Sequence, residues 1–167
     1  QPELRWMRGN VMPLERIFYD GVSWDFSEYF DYIKEIANQL PPSLRAFASS
    51  LDSYSLHGNE TLHDARVLSF VMAKSYDDKY SYSNTSIEIS LIDQLFEGKI
   101  ILKYEGVSKF IFNESGLAEN GHADILLHEF SVVRAGVYKH QVVFDHGGEL
   151  HIEFSGFSHS WSKLNSY

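Results

Sequence analysis

The chain contains no cysteine, which excludes disulfides, thiolate metal ligands and a cysteine nucleophile. That absence fits a reducing compartment, so a cytoplasmic location is expected. Positive charge is scarce: 14 Lys and Arg face 23 Asp and Glu, for a formal net charge of −9. Such a surface repels phosphate backbones and anionic lipid. Neither nucleic acid nor membrane is therefore an expected partner, whereas a basic protein or a metal ion suits the charge. No run reaches the about 18 apolar residues that mark a membrane-spanning helix. Familiar catalytic signatures are missing too. There is no G-x-S-x-G elbow, no HExxH, and neither "HGGE" nor "GLAENGH" has a phosphate-cradling glycine pattern. Aromatics make up 15 %, but they fall on core periods with no interleaved basic patch, so base stacking is not expected. No cofactor is predicted.

What is present reads as one α+β domain over residues 1–167. Residues 1–24 are expected to form an N-terminal arm, docked through Ile17, Phe18, Tyr19, Val22 and Trp24. Residues 25–51 carry two helices. In the first, Asp25 and Glu28 have capping-box spacing, and Phe26, Tyr29, Phe30, Ile33, Ile36, Ala37 and Leu40 make one apolar stripe. Pro41 and Pro42 end it and open the second helix, with Leu44, Phe47, Ala48 and Leu51 facing inward. Residues 52–61 read as a polar connection. From residue 62 to 157 the period changes to two, and an antiparallel sheet of about six strands, able to curl, is expected beneath the helices. "ARVLSFVMAK" (65–74) is apolar on both faces and is expected to be covered on both.

Eight histidines supply the candidate chemistry. If the loop at 134–136 holds three residues, Phe130 lies opposite His140 and His128 opposite Val142. That register makes His128 and His140 diagonal neighbours on the core face. A two-residue loop would slip the register and separate them. His63 and Asp64 are adjacent on a segment expected to be extended, which would send their side chains to opposite faces. "GHADILLHE" (121–129) adds His122 and Asp124 on the His128 face, with Glu129 on the other. The candidate site is therefore His63, Asp64, His122, Asp124, His128 and His140. Its chemistry would be metal ligation or proton transfer. The plainer reading is two hydrogen-bonded core histidines, a turn carboxylate at Asp64 and loop residues at 122–124.

Several motifs occur in one order: "LPP" (40–42), "RAFASSLDSYSL" (45–56), "LHDAR" (62–66), "LKYEGV" (102–107), "GHADILLHE" (121–129) and "VVFDHGGELHIEFSGFSH" (142–159). This order resembles a family of small uncharacterised bacterial proteins, and the resemblance spans residues 27–159. "LHDA" is also similar to a strand entry in bacterial immunity-type proteins. Neither resemblance implies a catalytic residue. The expected function is a non-enzymatic protein-binding module of the bacterial cytoplasm, immunity-like, whose acidic surface holds a protein partner. The alternative is a His/Asp-based metal-binding protein or hydrolase. A homo-oligomer paired through a sheet edge is a third expectation.

Overall fold

In the computed structural model, residues 14–113 and 124–165 are described. The helices follow the apolar stripe closely. α1 (Ser27–Ile36) buries Tyr29, Ile33 and Ile36, one face of a helix at spacings of four and three. It starts one residue later than the capping-box spacing suggests, with Phe26 rather than Asp25 at the N-cap. Asp25 still organises the entrance, because its Oδ1 accepts the Ser27 N–H at 2.9 Å and the Ser27 hydroxyl at 2.6 Å. A 3-10 turn over Ala37–Gln39 leads to Pro42 in the first turn of α2 (Pro42–Ala48). A break at Ser49 and Ser50 starts a separate short helix, α3 (Leu51–Tyr54). That break turns Leu51 outward and brings Tyr54 in, so the helical segment holds three short helices rather than two. Ahead of α1, β1 (Phe18–Tyr19) and β2 (Trp24–Asp25) form a small ribbon.

The rest of the described chain is strand, and the fold is mostly β. It is α+β only in the broad sense. The expected single sheet of about six strands is instead two four-stranded antiparallel sheets. One has the order β10-β5-β4-β3, the other β6-β9-β8-β7. The strands are β3 (Arg66–Tyr76), β4 (Tyr82–Ile92), β5 (Gly98–Glu105), β6 (Lys109–Asn113), β7 (Ile125–Arg134), β8 (Val137–Phe144), β9 (Glu149–Phe154) and β10 (Gly156–Lys163). The sheet, expected to end at residue 157, breaks at Ser155 between β9 and β10, and strand pairing runs on to Lys163.

Two bends make two sheets out of one. β5 pairs with β10 and β6 pairs with β9, so β5–β6 and β9–β10 are the two arms of one ribbon that crosses from sheet to sheet. The corner sits at Gly106, with φ +61, against Ser155. A Cβ at Gly106 would stand 2.0 Å from Ser155 Oγ, so no other residue fits without movement. The Gly106 N–H is taken by Asn84 Oδ1 at 2.9 Å, and the Ser155 N–H by the Glu105 carbonyl at 3.0 Å.

β3 differs from its expected two-sided burial. Val67 pairs with Leu91 and Ser69 with Ser90, leaving Leu68 as an extra residue in a bulge. The bulge resets the alternation. Val67, Phe70 and Met72 all fall opposite inward-facing residues of β4, while Leu68 and Val71 stand about half exposed. A strand apolar on both faces by sequence is therefore an edge strand with one bulge.

The other sheet's edge, β7, is guarded. Tyr32 of α1 receives the Val132 N–H at 3.0 Å, and His63 meets the Leu126 carbonyl at 2.8 Å. The arm closes over β7's second face. Leu14 and Ile17 are buried, and the buried Glu129 carboxylate accepts the backbone N–H groups of Glu15 at 3.2 Å and Arg16 at 3.1 Å. Arg16 adds a 3.3 Å ion pair to Glu129 and stacks over the Tyr32 ring. Burial pushes the Glu129 carboxyl up, against the pull of Arg16.

Candidate functional site: a buried histidine relay

β7 and β8 place His128 and His140 on the face that meets the other sheet. Phe130 pairs with His140 and His128 with Val142, as the three-residue loop predicts. The loop is nevertheless short. Arg134 pairs with Val137, and the missing residue is absorbed by an irregularity between Val132 and Arg134. The histidines thus share a face despite the tight turn.

Both rings are buried, and they join a single chain of hydrogen bonds. Tyr104 of β5 lies 2.6 Å from His140 Nδ1. His140 Nε2 lies 3.0 Å from His128 Nδ1, and His128 Nε2 lies 3.0 Å from the Ser53 carbonyl of α3. The Ser53 carbonyl can only accept, so His128 Nε2 carries a proton. With neutral rings, His140 Nε2 must then donate to His128 Nδ1, and Tyr104 must donate to His140 Nδ1. One tautomer at each ring satisfies every atom. Burial holds His128 down to about 4 and His140 well below the usual histidine range, with His128 adding to the depression at His140. The same burial pushes the Tyr104 hydroxyl up. The relay is neutral throughout.

Aromatic rings wall it in. Phe130 stacks on His140 with centroids 3.8 Å apart, and Tyr54 stacks on His128 at 4.0 Å. Tyr54 in turn bonds the Tyr29 hydroxyl, which donates to the Ala48 carbonyl at 2.9 Å. The relay therefore ties both sheets to α3, and the tyrosine pair ties α3 to α1 and α2. The adjoining hollow, between Phe26, Leu56, His63 and His128, measures about 10 Å³. That is room for about one water and no organic substrate.

The remaining candidates are dispersed. His63 and Asp64 lie in a turn, not on an extended segment. Asp64 takes φ +60, which turns its carboxylate to 3.6 Å from His63 Nε2. The two side chains therefore meet, contrary to the alternation expected of a strand. The Asp64 N–H is bound by the Ile125 carbonyl at 2.8 Å, so this residue fastens the strand entry with its backbone. His63 faces the same hollow as His128 but spends Nδ1 on Leu126. Asp124 pairs with Arg66 at 3.1 Å, beside the backbone bridge between those residues. His122 lies outside the described residues. Among the described residues, no three His, Asp or Glu stand where they could hold a metal ion.

No family model, curated protein or solved structure matches this chain. The geometry stands alone. Among the described residues, no helix is long and apolar enough to cross a membrane. The sequence joins the histidine pair only on a three-residue loop, which the structure replaces by a tighter turn and an irregularity, and it does not point to Tyr104 and Ser53, which hold the two ends. Tyr104 alternates with Ile100 and Leu102 and is buried like them. Its meeting with His140 depends on two sheets facing each other, which no local period encodes.

Proposed function

We propose that this protein is a non-enzymatic protein-binding module, immunity-like in kind, and that the outward face of α1 receives a basic partner. The observation that carries this reading is the charge on that face. Glu28, Asp31 and Glu35, with Asp25 just ahead of the helix, are all exposed, and among the described residues none of them makes an ion pair. Lys34 is the single cation of the helix. Like charges three and four residues apart cost a helix about 0.2–0.5 kcal/mol per pair, and Glu35 in the last turn also opposes the helix dipole. A basic surface laid on this face would relieve both. Asp20, in the β1–β2 turn, extends the patch, since it and Asp25 repel each other. The resemblance of "LHDA" to immunity-type proteins and the net charge of −9 agree with the reading.

The test is affinity capture from native lysate at low salt. It compares the unaltered chain with a variant carrying Glu28→Lys, Asp31→Lys and Glu35→Lys. The unaltered chain should retain a stoichiometric basic protein that added salt releases, and the variant should lose it. A chain that elutes alone, or a variant that keeps the same partner, refutes the reading. The substituted positions are exposed, so melting temperature should move little between the two.

A further inference from the structure

β3 ends one of the two main sheets, and among the described residues nothing pairs with its outer side beyond the Arg66–Asp124 bridge. Natural sheets guard such edges with charge, proline, bulges or a covering element. β7 is covered in that way by Tyr32 and His63. Among the described residues, β3 has no such cover along its middle. Ser69 to Ala73 carry no charge, and Leu68, Val71 and Met72 are 52 %, 52 % and 50 % exposed. We propose that this edge is a homodimer interface. In it, β3 pairs antiparallel with β3 of a second copy of the chain, about a two-fold axis at Met72.

The register follows from the strand itself. Pairing with β4 is regular from Ser69 to Ser75, between the bulge at Leu68 and an irregularity at Tyr76. The midpoint of that stretch is Met72. In an antiparallel pair, directly opposite residues share a face, so a two-fold axis must pass through a residue position. Centred on Met72, the axis sets Met72 against its own counterpart, Val71 against Ala73, Phe70 against Lys74, and Ser69 against Ser75. Met72 lies on the inward side opposite Ile87, yet is half exposed. Its counterpart would cover it.

Charge selects a second copy over an arbitrary strand. The two Lys74 side chains would stand four residues apart, about 13 Å, beyond the roughly 8–10 Å Debye length at ordinary salt. The Arg66 end of each strand would run toward the Asp77 and Asp78 end of the other. The edge is thus self-complementary in both apolar and charged positions. This surface is separate from the acidic face of α1 and does not depend on it.

Light scattering on the full chain should give twice the 19.2 kDa mass. Met72→Lys puts two ammonium groups at the axis and should weaken association at least tenfold, with circular dichroism unchanged. The chain has no other thiol, so Met72→Cys should crosslink to itself under mild oxidation. Directly opposite backbone positions lie about 4.5–5.5 Å apart, within disulfide reach. Val71→Cys should crosslink with Ala73→Cys but not with itself. A monomer at high concentration overturns the proposal. So does a dimer that survives Met72→Lys, or one whose Met72→Cys form does not crosslink. Charge reversal on α1 should leave the dimer intact, which separates the two surfaces.

Discussion

At the residue scale, the arrangement with most at stake is the line from Tyr104 through His140 and His128 to Ser53. Every polar atom in it is buried and partnered. An unpartnered acceptor in such a place costs about 1–3 kcal/mol. Tyr104→Phe removes only the hydroxyl and strands His140 Nδ1. It should destabilise by about 1–3 kcal/mol in denaturant unfolding, while Tyr138→Phe, which loses a single bond to the Gln39 carbonyl nearer the surface, should cost less. How much of this was legible depends on distance along the sheet. His128 and His140 share a face only because the irregularity between Val132 and Arg134 restores the register that the tight turn would have slipped, and alternation alone does not supply that. Asp64 was misread because the chain reverses there. A left-handed φ at a non-glycine residue leaves no periodic trace, and Asp tolerates it better than most residues do.

At the element scale, bulges and corners decide the outcome. The inward residues of β4 and β5 keep the period of two, with Ile87, Ile89 and Leu91, then Ile100, Leu102 and Tyr104, all buried, but about six strands were expected where two sheets of four stand. The division into two sheets could not be read from that period. It turns on the bend at Gly106, whose consequence, β6 joining the other sheet, is a matter of pairing. Gly106→Ala should destabilise by about 1–3 kcal/mol, since an L side chain is strained at φ +61 and its Cβ meets Ser155. Adding Ser155→Gly should recover the steric share and leave the conformational share, which thermal melts of the single and double variants can separate. The bulge at Leu68 accounts for part of the failure of the two-sided reading of β3, since it shifts the alternation by one residue, and the half-exposed Val71 on the outward side accounts for the rest. Trp161 offers a further constraint of this kind. It lies over Gly98, where a Cβ would be 2.3 Å from its ring, and donates to Asp93 Oδ2 at 2.8 Å, pinning β10 to the turn that opens β5.

At the scale of the whole molecule, the neutral relay makes stability depend on pH. His128 and His140 have folded-state pKa values below that of a free histidine. The unfolded chain therefore binds more protons, and stability rises with pH. The contribution is complete above about pH 6.5 and is lost as pH falls toward the folded value of about 4 for His128. For His128 alone that is on the order of 3 kcal/mol. Glu129 works in the opposite direction, because its raised carboxyl takes up a proton more readily in the fold than outside it. Melting temperature should fall steadily from pH 6.5 to pH 4, and His128→Gln should flatten that slope. Equal slopes in both proteins would place the acid sensitivity elsewhere.

The ribbon shared by the two sheets also bears on how quickly the native state is reached. β3, β4 and β5 join through neighbouring hairpins, and so do β7, β8 and β9. β10 must instead find β5 across about fifty intervening residues, as in the pairing of Phe157 with Tyr104. Closing so long a loop costs entropy before any contact repays it, and non-local pairings of this sort slow folding to the range of about milliseconds to seconds. The two meanders are expected to form early. The seam between β5 and β10 should close last, so the exposed inner face of an unfinished sheet is the surface most open to misassociation on the way.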